Sequence, residues 1–183
     1  MFSATVTQVP SFEEYAVASW STLYRSAYLL AGNHADAEDL AQQTLIKAHG
    51  AWSKVSASDS MNAYVRRILT NTFLSSRRPA RRRLELLTDE IPEPGTPGAA
   101  AGVPGAAEDR MALWPHVKRL PPQQRAVIVL RYFEDLSEGE IAETLGCTRG
   151  TVKSTAHRAL KSLKAALGAP DGGTTPGSDG EEG

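Results

Sequence analysis

The stretch Leu136–Leu167, LSEGEIAETLGCTRGTVKSTAHRALKSLKAAL, constrains this chain more than any other. Ser137 and Glu140 form an S-x-x-E capping box, which places a helix start at Ser137. Ile141, Ala142 and Leu145 then recur at helical spacing and predict a buried face. Gly146 follows, a residue that can take the left-handed conformation ending a helix, and Thr148 can cap the next one. On that second helix Val152, Ala156, Ala159, Leu160, Leu163 and Leu167 make an apolar stripe, with Arg149, Lys153, His157, Arg158, Lys161 and Lys164 off it. A short helix, a glycine turn and a basic second helix predict a helix-turn-helix, whose second helix enters the DNA major groove.

A plain helical hairpin with a solvated basic face would share this periodicity. Charge segregation favours the DNA reading. The first helix carries Glu134, Asp135, Glu138, Glu140 and Glu143 at or before it, whereas no acid interrupts Cys147–Leu167. One strand of surface is therefore positive, as phosphate binding requires. Arg149 and Lys153 can reach guanine acceptors, and Thr151, Ser154 and Thr155 can contact bases or phosphates. His157 and Arg158 continue the same surface.

Global charge is uninformative here. Twenty basic and twenty-one acidic residues nearly cancel in 183, but they are segregated along the chain. The one cysteine, Cys147, excludes an intrachain disulfide framework and a cysteine-rich zinc site, and is read as a small buried residue. No run of about 18 apolar residues and no signal peptide is present, so the chain is read as soluble and cytoplasmic.

The N-terminal half is helical as well. Ser11 and Glu14 form a second capping box, and Phe12, Tyr15, Trp20, Leu23, Tyr24, Ala27 and Leu30 trace an amphipathic helix stopped by Gly32. In the next segment Ala37, Leu40, Ala41, Thr44, Leu45, Ala48 and Trp52 form one face, and the acids near its start favour the helix N-terminus. Neither His34 nor His49 stands near a partner that would make a metal or acid–base site. Ser53–Ser60 reads as a polar loop, and Asp59 or Ser60 can cap a third helix with Met61, Tyr64, Val65, Ile68, Leu69 and Thr72 as its stripe. Arg66, Arg67, Thr70, Asn71, Phe73 and Arg77 fall away from that stripe, and the basic run RRPARRR follows. Basic groups beside an aromatic suit single-stranded nucleic acid, where bases stack on rings.

Ile91–Gly105 is rich in proline and glycine without periodicity and reads as a linker. Helices are expected over Asp109–Leu120 and Pro122–Phe133, with Ala126, Val127, Leu130 and Phe133 packing under the helix-turn-helix. The fold class is therefore all-α: two small helical domains joined by a flexible linker, the second ending in a helix-turn-helix. The boundaries are 11–78, 79–107 and 108–167, followed by an acidic tail at 168–183.

This arrangement resembles an extracytoplasmic-function (ECF) sigma factor of bacterial RNA polymerase, of the sigma-70 family. AEDLAQQTL (37–45), AYVRRILTNTFLSSRR (63–78), LPPQQRAVIVLRYFEDLSEGEIAETLG (120–146) and GTVKSTAHRALKSL (150–163) stand in the family's order. The resemblance implies that Asp39, Gln42 and Gln43 dock on the coiled-coil clamp of the polymerase β′ subunit, although many members carry Glu where this chain has Gln43. It implies that the loop Ser53–Ser60, which holds Lys54, captures a flipped base of the −10 element. Arg66, Arg67, Asn71 and Phe73 would then hold that element as it opens. It also implies that the last helix reads the −35 element, through Arg149, Thr151, Lys153, Ser154, His157 and Arg158. Core RNA polymerase and promoter DNA are the implied partners, and an anti-sigma factor is a candidate one. No membrane contact, cofactor, metal or chemistry of the chain's own is implied. The alternative is a stand-alone helix-turn-helix regulator, which would leave the AEDLAQQTL helix and the Arg/Phe helix without a role.

Overall fold

The computed structural model describes residues 9–77 and 113–168, all of whose regular structure is helical. The expected linker, the run Arg78–Arg83, the start of the Asp109–Leu120 helix and the acidic tail after Gly168 lie outside these residues.

Capping chemistry sets the helix boundaries. α1 runs Phe12–Ala31 behind the Ser11/Glu14 box, in which Glu14 N donates to Ser11 Oγ at 3.2 Å and Ser11 N to Glu14 Oε2 at 2.8 Å. Gly32, at φ 91°, ends it. α2, His34–Gly50, is capped by Asn33, whose Oδ1 accepts from Asp36 N at 2.9 Å. A short helix, α3, spans Trp52–Ser56 and buries Val55 completely. This corrects the reading of Ser53–Ser60 as a loop: Val55 and Ala57, two apolar residues in eight and only one of them large, give no periodicity to detect, yet Val55 has a slot in the core. α4, Met61–Ser76, is capped by Ser60. Its buried threonines satisfy themselves on their own helix, Thr70 Oγ1 donating to Arg66 O at 2.9 Å and Thr72 Oγ1 to Ile68 O at 2.7 Å.

In the second half, residues 113–117 are helical (α5). α6, Pro122–Tyr132, starts with proline where its missing N–H costs nothing. α7, Glu138–Leu145, has the Ser137/Glu140 box at one end and Gly146 at φ 64° at the other. α8, Arg149–Gly168, is capped by Thr148, whose Oγ1 accepts from Thr151 N at 3.2 Å.

α6 is the hub of the molecule. Ala126, Val127, Ile128, Val129 and Leu130 are all no more than 2% exposed, so this helix is buried around its whole circumference. Val127 and Leu130 pack with Ile141 and Ala142 of α7 and Val152 and Ala156 of α8, under the helix-turn-helix as expected. Ile128 packs with Val117, Leu120, Ala159 and Leu163. Ala126 does not face the helix-turn-helix. It joins Val129 in the core of the first half, among Leu23, Leu30, Leu40, Leu69 and Phe73, and Phe133 packs against both this core and the cluster around Ile128 rather than under the helix-turn-helix. The two halves thus share one apolar core in this arrangement. At the far end of α8, Leu167 is 55% exposed, so the apolar stripe stops at Leu163.

Candidate nucleic-acid interface

The basic helix α8 presents a continuous cationic face. Arg149, Thr151, Lys153, Ser154, His157, Arg158, Lys161 and Lys164 are all exposed, while Val152, Ala156, Ala159 and Leu163 hold the helix down. Thr155 is 6% exposed and belongs to the buried side, which withdraws it from the candidate contacts. The start of α7 engages the two cations expected to read bases. A Cβ added at Gly139 would lie 3.0 Å from Arg149 Nη2, so the guanidinium rests directly against the glycine and a larger residue there would shift it by a few tenths of an ångström. Lys153 Nζ lies 3.8 Å from Glu138 Oε2, and Glu138 Oε1 also accepts from Arg131 Nη1 at 3.0 Å. The Gly139 contact was invisible to sequence periodicity, because it joins residues on different helices. Elsewhere in the motif, Ser137's hydroxyl and then its backbone N–H hold the Glu140 carboxyl below its usual pKa. Cys147 packs against the cluster of Val127, Leu130, Ile141 and Val152, and burial pushes its thiol up, away from the reactive thiolate.

A base contact and a phosphate contact fail differently when removed. Arg149→Ala or Lys153→Ala is expected to change the ranking of −35 variants, at about 1–3 kcal/mol for the affected position. Lys161→Ala is expected to weaken all sequences alike and lower the salt slope by about one. Binding of holoenzyme to a −35 library at several salt concentrations checks both.

The α4 residues are divided between two environments. Arg67 and Asn71 are exposed, as is Lys54 on α3. Asn71 lines an open groove between α2 and α4, together with Lys47, Ala51, Tyr64, Ile68, Thr72 and Ser75. Lys47 Nζ donates to Thr72 Oγ1 at 2.9 Å there. Arg66 instead turns toward the second half, where its Nε lies 3.4 Å from Glu134 Oε2. Phe73 is 2% exposed and sits in the shared core, with the guanidinium carbons of Arg77 and Arg125 each 5.9 Å from its ring centroid. The expectation that Phe73 offers its ring to nucleic acid is therefore corrected. α4 is covered on two sides, by α1 and α2 and by the second half, so a residue off its first stripe is still inside.

On α2, Asp39, Gln42 and Gln43 are exposed and share one face. Gln42 Nε2 donates to Glu38 Oε1 at 3.3 Å. Ile46, one turn further on that face, is 71% exposed. No cluster of His, Cys, Asp and Glu that could hold a metal occurs among the described residues.

Comparison with known proteins decides the identity of these surfaces. Sigma-70 region 2 matches residues 19–83, and Sigma-70 region 4 matches residues 117–163. The chain is 38% identical over 167 residues to the RNA polymerase sigma-E factor of Streptomyces avermitilis, covering 90% of this chain and 89% of that one. The corresponding factor of Streptomyces coelicolor is 39% identical over 164 residues, with 90% of each chain covered. The chain belongs to the ECF branch of the sigma-70 family. The solved sigma factor RpoE of Bartonella quintana, in complex with the anti-sigma factor NepR, matches with a TM-score of 0.60 at 27% identity, covering 85% of this chain and 96% of that one. A sigma factor binds core RNA polymerase and directs promoter recognition and melting, and sigma factors are non-catalytic initiation factors. Family matches in both halves favour this over a stand-alone helix-turn-helix regulator, which would account for the second half only. No helix among the described residues is long and apolar enough to cross a membrane.

Proposed function

We propose the following division of labour within this sigma factor. Its first segment, 11–78, docks on core polymerase and opens the −10 element; 79–107 links; 108–167 reads the −35 element as duplex. Asp39, Gln42 and Gln43 meet the β′ clamp coiled coil. Lys54, Arg66, Arg67 and Asn71 hold the −10 strand, whereas Phe73 supports the fold from inside. Arg149, Thr151, Lys153, Ser154, His157 and Arg158 face the −35 element. The sigma factor works in the cytoplasm, performs no chemistry of its own, and leaves RNA synthesis to the polymerase. An anti-sigma factor is a fitting further partner, because the RpoE match is a structure held by one.

The observation that supports the melting assignment is the open groove between α2 and α4. Ala51, where α2 passes into α3, forms part of its wall, whereas none of Ser53–Ser60, the segment expected to capture the flipped base, lines it; Asn71 supplies both a donor and an acceptor. Tyr64 and Ile68 give it an apolar side. Those are the features a flipped base needs: an edge to pair with and a surface to lie on. Arg67, exposed one turn before Asn71, is suited to the adjoining phosphate.

Opening a duplex costs about 1.4 kcal/mol per stacked step, so base capture offsets part of the cost of melting. Arg67→Ala and Asn71→Ala holoenzymes are expected to form closed promoter complexes normally. Their open complexes, read by permanganate reactivity of unpaired thymines, are expected to lose about 1–3 kcal/mol for the base contact at Asn71. Normal reactivity in both variants would remove the melting role from this face.

A further inference from the structure

The two helices of the helix-turn-helix meet at their first turns, and the turn between them is tightly held. Cys147 N donates to Ala142 O at 3.0 Å, and Thr148 Oγ1 accepts from Thr151 N at 3.2 Å to start α8. Ile141 and Val152, both fully buried, pin the two helices into one cluster. The first turn of α7 therefore keeps a fixed distance from the first turn of α8.

Two residues of α7 use that distance. A Cβ built on Gly139 would stand 3.0 Å from Arg149 Nη2 and 3.4 Å from both Cζ and Nε, so three atoms of the guanidinium rest against the glycine. Among the described residues the Arg149 guanidinium has no hydrogen bond or ion pair, which leaves its donors for DNA. Glu138 is fixed from behind and reaches forward. Its Oε1 accepts from Arg131 Nη1 at 3.0 Å, and its Oε2 lies 3.8 Å from Lys153 Nζ. The Glu138 and Arg131 side chains are 27% and 29% exposed, whereas Lys153 is 69% exposed. The inner pair is short and partly buried, and it sets the carboxylate. The outer pair is long and solvated, a restraint of the kind worth little in stability. Lys153 can leave it for a base at small cost, while its direction of approach is set.

Arginine and lysine lose rotamer freedom when they bind, and a supported side chain loses less. Support also decides which base edge comes within reach, because a specific contact requires close placement of its donors. We propose that Gly139 and Glu138 are positioning residues that set the −35 specificity of this sigma factor, Gly139 by directing Arg149 and Glu138 by directing Lys153. This rests on the reading of Arg149 and Lys153 as base contacts. Specificity is then a property of both helices: the same α8 behind a different first turn of α7 would prefer a different −35 sequence.

The test uses holoenzyme reconstituted with the full chain, on promoter fragments whose −35 element is randomised and whose −10 element is held constant. Gly139→Ala adds one methyl group to a helix that alanine favours over glycine, so helicity and thermal stability are expected to be kept or raised. Discrimination at the base position that Arg149→Ala relaxes is expected to fall at least about threefold, with other positions unchanged. In the Arg149→Ala background, Gly139→Ala is expected to change the ranking no further. Glu138→Gln is expected to reduce discrimination by about the same factor at the position that Lys153→Ala relaxes, and to do nothing more in the Lys153→Ala background. It is also expected to raise affinity for unrelated duplex, because an acid leaves the DNA-facing surface. Glu143→Gln removes the same charge from an exposed position of the same helix and is expected to leave the ranking as it is. The positioning roles require losses confined to those two base positions and absent in the matching alanine backgrounds. If Arg149→Ala and Lys153→Ala relax their positions while folded Gly139→Ala and Glu138→Gln keep the parental ranking, or still alter it in the alanine backgrounds, positioning is overturned and base reading stands. An equal shift from Glu143→Gln overturns the role of Glu138. If Arg149→Ala and Lys153→Ala themselves keep the parental ranking, base reading falls and the positioning roles fall with it.

Discussion

Phe73→Ala is expected to lower the unfolding free energy of this sigma factor by about 3–5 kcal/mol. Two accounts of this residue predict opposite phenotypes. As a ring offered to single-stranded DNA, it could be truncated with little effect on stability and a selective loss of promoter binding. As a core residue, 2% exposed among Leu30, Leu40 and Leu69, it leaves a cavity in the place where the two halves meet. Urea titration of the purified chain, with helicity as the signal, measures the difference. Phe73→Leu should cost much less, because the cavity it leaves is smaller. A Phe73→Ala protein as stable as the parent would contradict the packing described for α4.

Asp39→Arg is expected to weaken binding to core RNA polymerase by about 2–4 kcal/mol, the range of an interface hot spot. Asp39 is exposed on α2, on a face continued by Gln42, Gln43 and the exposed Ile46. Polar groups around an apolar centre are the make-up of a docking surface. Nothing in the described structure requires the Asp39 carboxylate for folding, so helicity and thermal stability should be unchanged. Reversing its charge replaces complementarity with repulsion if the partner surface is cationic at that point. Glu13→Arg, on the exposed first turn of α1, serves as a control with the same change in net charge. Equal polymerase affinity of Asp39→Arg and the control would remove this face from the docking surface.

How far the sequence reveals this molecule depends on whether the controlling interaction is local. Ser11 with Glu14, Ser137 with Glu140, Gly32 and Gly146 set helix ends through contacts within a few residues, and each performs that role in the structure. The exposed cations of α8 were equally legible, since Val152, Ala156, Ala159 and Leu163 determine which face is buried. α3 leaves no periodic signal in the sequence because Val55 alone carries its burial. The burial of Phe73 and the packing of Ala126 escape the sequence for a different reason. The neighbours of Ala126 lie in the other half of the chain, Phe73 is enclosed by α1 and α2 as well as by the second half, and a 3.6-residue period reports one buried face rather than two. Arg149 over Gly139 is similarly a contact between helices, and the only sequence signal was a glycine in the first turn of a capped helix. For the polymerase and −10 surfaces, residue spacing gave a helix face but no partner; the partners came from resemblance to the family.

The central claim is that this chain confers promoter-specific initiation on core RNA polymerase. Run-off transcription with purified core polymerase and genomic fragments, with and without the chain, tests it most directly. The account predicts transcripts that depend on the chain, whose mapped starts share two upstream elements at a fixed separation and are lost with Asp39→Arg. A folded chain that yields no dependent transcript from any fragment, or starts with no shared pair of elements, would contradict it.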